Sequence, residues 1–270
     1  MNGSDSIDDI LNYYSTNQES QRHQTQQLEF AIMEKVIQTY LSQKPLKILE
    51  IGAGAGYYTQ KLAQMGHQVV AVEPVPVLIQ QNEESCRKLS LENQVRWVQC
   101  DARNLTNHLD EKFDLIMNMG PFYHLTKAED RLTVLDQSHQ LLDEQGLMMS
   151  VFLSRVGYLS YVLAHQPEAV AYDPDGFKNI MMEGHDKSHP RDGTFRGYFS
   201  ELDELAPFHQ SKGFKIQKLH VLDPCIGGLD DVFNRLSDDL KQVWVDILFA
   251  FSQDPHYWNT GRTWLVLATR

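Results

Sequence analysis

The densest chemical signal in the chain is Lys47-Ile48-Leu49-Glu50-Ile51-Gly52-Ala53-Gly54-Ala55-Gly56. An apolar run ends in an acid, three glycines follow at every second position, and a helical pattern begins at once. That is a buried strand feeding a tight turn at a helix N-terminus. Without a Cβ, glycine lets such a backbone bend with positive φ and lie close against a ligand. The dinucleotide fingerprint Gly-x-Gly-x-x-Gly, counted from Gly52 and Gly54, requires glycine at position 57, which is Tyr57. A second acid, Glu73, closes the next apolar run and stands 21 residues past Gly52. A carboxylate at the end of a second strand accepts both hydroxyls of a ribose, so the two motifs together suit a nucleoside ligand.

Further along, Asp101-Ala102 follows the run Val95–Cys100, and Gly120-Pro121-Phe122-Tyr123-His124-Leu125 follows the run Lys112–Asn118. The carboxyl edge of an open α/β sheet is where ligands bind. His124 at that edge is a candidate general base, because imidazole titrates near neutral pH; the other reading is a locally hydrogen-bonded ring. Tyr123 either orients a substrate or makes an ordinary aromatic contact.

The elements that must position these residues alternate between strand and helix, which predicts an α/β fold with a parallel sheet. Strands are expected at 47–51, 68–73, 95–100, 112–118, 147–153, 215–222 and 264–269. Helices are expected at 57–65, ended by Gly66, and at 76–89. A third is expected after Thr126, with Thr126 and Glu129 as a capping box and Gly146 as its end. Ile7, Ile10, Leu11 and Tyr14 have helical spacing, a polar linker spans 15–27, and Phe30, Met33, Ile37 and Leu41 mark another helix, ended before Pro45. This N-terminal segment either closes over the site, with Tyr13 and Tyr14 facing it, or packs on the sheet edge. Between 155 and 198 the pattern gives one short helix around Tyr158–Leu163 and otherwise loop. His185 and His189 are four apart, as helical metal ligands can be, but Pro190 follows directly and glycines surround them, so no metal is expected. Ser200 is expected to cap a helix that Pro207 kinks, and Leu229 to Ile247 keep helical spacing in a second insertion.

The Gly-x-Gly-x-Gly turn after Glu50, with Asp101-Ala102 and Phe113-Asp114-Leu115-Ile116, resembles motifs of the class I S-adenosylmethionine (SAM)-dependent methyltransferases. Gly120 to Leu125 resembles a subset of small, bacterial-type members. The resemblance covers roughly residues 46–222 and the last strand. It implies a Rossmann-like, doubly wound, seven-stranded sheet of order 3-2-1-4-5-7-6 with the last strand antiparallel. It implies an N-terminal helical lid (1–45), a SAM-binding core (46–154), an inserted cap over the pocket (155–199), and completion of the core (200–270) with a helical insertion at about 226–252. Cofactor contacts are implied at Glu50, Gly52, Ala53, Gly54 and Gly56, at Glu73 and Pro74, at Asp101 and Ala102, and at Asn118, Met119 and Gly120. In the family the acid after strand three accepts the adenine amino group. Arg262 is expected at the pocket rim. Enzymes that methylate exocyclic amines or amides show Asn-Pro-Pro-Phe or Tyr after strand four; Met119 and Gly120 stand in place of Asn-Pro here, against such a target. The implied activity is methyl transfer from SAM to an O or N atom of a small molecule, leaving S-adenosylhomocysteine. The other readings are a SAM-binding protein without turnover, and an RNA or protein methyltransferase.

Composition bounds the partners. The 270 residues are 42% hydrophobic and 22% charged, ordinary for a globular protein of one enlarged domain or two small ones. A net charge of −12 opposes a broad grip on phosphates, so nucleic acid is an unexpected partner. Cys86, Cys100 and Cys225 have no paired spacing, which suits a reducing compartment. With no apolar leader and no span-length apolar run, the expectation is a cytoplasmic monomer or homodimer, off the membrane.

Overall fold

The computed structural model describes residues 7–16, 21–41, 44–185 and 197–270. His189, Pro190 and Gly193 lie outside the described residues. In chain order the elements are α1 (Ile7–Thr16), α2 (Arg22–Thr25), α3 (Gln27–Tyr40), β1 (Lys47–Ile51), α4 (Tyr57–Gln64), β2 (Gln68–Val72), α5 (Pro76–Lys88) and β3 (Val95–Val98). There follow β4 (Phe113–Asn118), α6 (Pro121–His124), α7 (Ala128–Leu141), β5 (Leu142–Ser154), α8 (Arg155–His165), α9 (Ala169–Tyr172) and α10 (Pro174–Glu183). The chain goes on through β6 (Phe199–Ser200), α11 (Leu205–Gln210), β7 (Lys215–Val221), α12 (Asp230–Asn234), α13 (Asp238–Phe251) and β8 (Thr263–Thr269).

One sheet organises them, in the order β3-β2-β1-β4-β5-β8-β7, with β6 paired to β5. β8 is antiparallel to both neighbours; every other pairing is parallel. This is the expected order with one short strand added, so the sheet has eight strands rather than seven. β1 lies between β2 and β4 and is covered on both faces, which is why Ile48, Leu49 and Ile51 are fully buried. Ile48 packs in the cluster that holds α3 and α4, whereas Leu49 and Ile51 pack in the cluster on the α7 and α11 face. Alternation therefore sends Glu50 toward α4.

Several local expectations are corrected. The polar linker contains the one-turn helix α2. Thr126 is not a helix cap; α7 starts from Lys127 without a side-chain cap, and the Arg131 guanidinium spans the turn by donating to the Leu125 and Thr126 carbonyls, each at 2.8 Å. The helix ends at Leu141, not at Gly146, because Leu142 is extended and fully buried against β4. Ser200 belongs to β6 rather than to a cap, and Pro207 sits in the first turn of α11, where no intrahelical N–H is lost. The described residues of 155–199 are mainly helical. Asp173 accepts from the Gly176 N–H at 2.9 Å, Pro174 opens α10, and Gly184 ends it with φ of 85°. Part of the stretch expected to be loop is therefore a capped helix.

Candidate functional site

A cavity of about 640 Å³ opens at the carboxyl edge of β1, β2 and β4, within the volume range of small-molecule sites. The glycine turn forms its floor. Gly52, Gly54 and Gly56 take φ of 79°, 55° and 90°, a region that costs any residue with a Cβ. A Cβ on Gly52 would stand 3.2 Å from both the Gly120 nitrogen and Pro121 Cδ, and one on Gly56 only 2.2 Å from the Asn82 side chain. Glycine at 52 thus lets the loops after β1 and β4 meet.

The acids do more than face the cavity. Glu73, only 6% exposed, accepts from the Gly54 N–H at 2.9 Å and from the Val75 N–H at 3.1 Å, tying the glycine turn to the end of β2. Glu50 is buried and accepts from the Thr59 hydroxyl at 2.5 Å, and Thr59 accepts from the Asn82 amide at 3.1 Å. Burial pushes the Glu50 carboxyl up to about 8, against the Thr59 hydrogen bond, and the nearby Glu73 charge adds to the rise. Asp101 caps the 3₁₀ turn Ala102–Asn107 by accepting from the Arg103 N–H at 2.8 Å, and it pairs with the Arg103 guanidinium at 2.6 Å.

On the opposite wall stands the loop after β4. Tyr123 donates to the Met119 carbonyl at 2.7 Å, and His124 ends the single turn of α6. Above it lies α1, whose Ile7, Ile10 and Tyr14, on one helical face, line the cavity. The Tyr14 hydroxyl meets His124 Nε2 at 2.6 Å, and the rings are edge-on at 5.3 Å. Arg22, His23, Glu29 and Phe30 continue the wall from α2 and α3. Phe30 stacks on Tyr58 at 5.4 Å, and His23 on Tyr57 at 5.2 Å.

Of the residues singled out from sequence, Glu50, Gly52, Ala53, Gly54, Glu73, Pro74, Asp101, Ala102, Met119 and Gly120 line this one cavity, with Tyr14, Tyr123 and His124. Gly56, Asn118 and Tyr13 are not among its lining residues. Asn118 is fully buried and its amide has no hydrogen-bond partner among the described residues; Tyr13 instead packs edge-on against Tyr14. Arg262 is likewise absent from the wall. It is 5% exposed and faces Asp230 at 3.4 Å, Glu29 at 3.5 Å and Asp223 at 3.8 Å, joining α3, α12 and the end of β7. Nor does any described residue of 155–199 line the cavity. α8 leaves β5 directly, and Gly157 packs on Gly261 and Arg262. The site is covered from the N-terminal side alone among the described residues. Arg22, His23, Glu29, Thr59 and Asn82 gave no signal in the sequence, because each sits on a helix whose facing partner only the fold supplies.

Residues 48–146 match a family model described as a methyltransferase domain. The chain is 30% identical over 105 residues to a glycine/sarcosine N-methyltransferase from Aphanothece halophytica, covering 38% of each chain. It is 25% identical over 118 residues to a tRNA 5-carboxymethoxyuridine methyltransferase from Escherichia coli K12, covering 43% of each. The matched parts thus span about two fifths of these relatives. The CcbJ methyltransferase from Streptomyces caelestis shares the fold over 96% of this chain and 95% of its own, with a TM-score of 0.59 and 14% identity.

Proposed function

We propose that this chain, whose residues 48–146 match a methyltransferase domain, is a class I SAM-dependent methyltransferase that binds SAM at the β1–β2–β4 edge and methylates an O or N atom of a small molecule. The observation that supports this best is the turn itself: three glycines in the left-handed region, locked to the Glu73 carboxylate, in one cavity with Asp101 and His124. The residues present fit the cofactor. A Cβ at Gly52 would crowd the meeting of two loops, and the Glu73 and Asp101 carboxylates that line the cavity are the acceptors a nucleoside's hydroxyl and amino donors require.

Glu73 would hold the ribose hydroxyls, Asp101 and the Ala102 backbone the adenine, and Gly52 to Gly54 the amino-acid half. Bound SAM supplies a methyl group on a sulfonium, a good leaving group, so no nucleophile of the protein is needed. The chain's own work is alignment of the acceptor at about 3–3.5 Å, exclusion of water, and removal of a proton where the acceptor carries one. Ile7, Ile10 and Phe30 exclude water from the N-terminal side. His124 is the group of the β4 loop suited to take the proton.

Calorimetry with SAM, S-adenosylhomocysteine and NAD tests the cofactor half. The first two are expected to bind and NAD not; heat from NAD with none from SAM would overturn the reading.

A further inference from the structure

The cavity holds one contact that cofactor binding does not require, the hydrogen bond between Tyr14 of α1 and His124 of α6, 110 residues apart in sequence. At 2.6 Å it is a short O–H···N contact. Which atom carries the proton follows from the chemistry of the pair. A phenol is a hydroxyl acid of pKa about 10, and a neutral imidazole nitrogen is a stronger acceptor than a phenol oxygen. The phenol therefore donates to Nε2, and the ring proton of neutral His124 sits on Nδ1. With Nε2 engaged in this way, a substrate proton reaches that nitrogen through the phenol.

We infer that Tyr14 is a proton relay: the acceptor's proton passes to Tyr14 Oη as Tyr14's own proton passes to His124 Nε2. The inference rests on the methyl-transfer reading above. The step balances. The acceptor's X–H bond breaks and its electron pair stays on X, the phenol is regenerated, and His124 becomes imidazolium. The acid–base device is then split between two elements and is complete only when α1 is seated.

The surroundings support the assignment. Ile7 and Ile10, one and two turns before Tyr14 on the same helical face, wall the cavity with apolar surface, which strengthens a hydrogen bond between neutral groups. Tyr123 lies beside His124 on α6, with ring centroids 4.6 Å apart, and its hydroxyl is committed to the Met119 carbonyl. Tyr198 packs on the far side of α6, its N–H donating to the Tyr123 carbonyl at 2.8 Å. The titratable and charged groups that share the cavity besides the pair and the tyrosines are Arg22, His23 and Glu29 from α2 and α3, Glu50, Glu73 and Asp101 from the sheet edge, Lys61 from α4, and Glu84 and Lys88 from α5.

The test reads the ring directly. Nitrogen-detected NMR of His124, in the full chain with and without S-adenosylhomocysteine, gives its tautomer and the hydrogen-bonding state of Nε2 in the wild type and in Tyr14→Phe. The expected wild-type tautomer is Nδ1–H with Nε2 as acceptor. Loss of the phenol donor in Tyr14→Phe should move the resonance of the unprotonated Nε2 toward that of a nitrogen accepting no hydrogen bond. An Nε2–H tautomer in the wild type overturns the relay, and so does an Nε2 resonance that Tyr14→Phe leaves unmoved. The wild-type measurement stands even where the variant misfolds. Failure of S-adenosylhomocysteine to bind strikes the cofactor reading instead, which the calorimetry reports separately.

Discussion

At the scale of single residues, the acids of the site divide by what holds them. Glu73 is needed twice, by the turn and by the proposed ribose. Glu73→Ala is expected to weaken SAM binding by roughly 1.5–3 kcal/mol and, by orphaning the Gly54 and Val75 N–H groups, to cost about 1–3 kcal/mol of stability. Calorimetry and urea unfolding measure the two losses, and unchanged values for both would return Glu73 to an ordinary strand-end acid. Glu50 behaves in the opposite sense. Its folded pKa is raised from 4.5 to about 8, so the folded state binds more protons than the unfolded chain between those values. The stability it contributes is full below about 4.5 and is lost as pH rises through 8. Glu50→Gln, which keeps the shape and stays neutral, should flatten the fall of unfolding free energy across pH 5–8, and an unchanged slope would show that Glu50 is ionised in the fold. Glu50, Glu73 and Asp101 could be found from sequence because each stands within three residues of a strand's carboxyl end. The contacts that tie Glu50 to the Thr59 hydroxyl and Glu73 to the Gly54 N–H could not, since those partners meet the acids only once β1, α4 and β2 are packed together, whereas the Val75 and Arg103 N–H groups lie two residues on, a local turn spacing.

At the scale of elements, what was legible depended on how far each element's pattern is local. The buried parallel strands stand out as continuous apolar runs, and the N-terminal helix stands out because Ile7, Ile10 and Tyr14 share a face. α10 was hidden because Asp173, Pro174, Gly176 and Gly184 are turn formers as well as helix ends. β6 is too short for any periodicity. Arg262 was misplaced for a different reason: a cation at the start of a last strand looks solvent-bound until Glu29, Asp223 and Asp230 arrive from three other places in the chain. Burial pushes Asp223 up to about 6 even with Arg262 beside it, so the cluster holds costly charge. Arg262→Ala should destabilise by about 3–5 kcal/mol, because it leaves carboxylates buried and uncompensated. A loss under 1 kcal/mol in urea unfolding would mean that solvent reaches the cluster. The same cluster ties α3 to the sheet through Glu29, which also accepts from the Thr263 hydroxyl at 3.0 Å, so α3 is a fixed wall of the cavity.

At the scale of the whole molecule, the cavity borrows its walls from the N-terminal helices and from three strand edges, so ligand binding and global stability are linked. At a hundred times its dissociation constant, SAM should add about 2.7 kcal/mol and raise the melting temperature by roughly 5–10 °C, with no rise from NAD. Thermal scans at graded SAM concentration check this, and a flat series would contradict the assignment. Among the described residues no helix is long and apolar enough to cross a membrane. The sheet also has a consequence for biosynthesis. β8 sits between β5 and β7, yet β5 is made long before it, with α8 to α13, β6 and β7 in between. While those elements emerge from the ribosome, the β8-facing edge of β5 displays its unpaired backbone beside Val151, Phe152 and Leu153. That edge is a template for another nascent chain. Chains stalled or truncated before Thr263 should therefore aggregate through β5, and a chaperone that shields nascent apolar strands would guard the interval between synthesis of the fifth strand and arrival of the eighth.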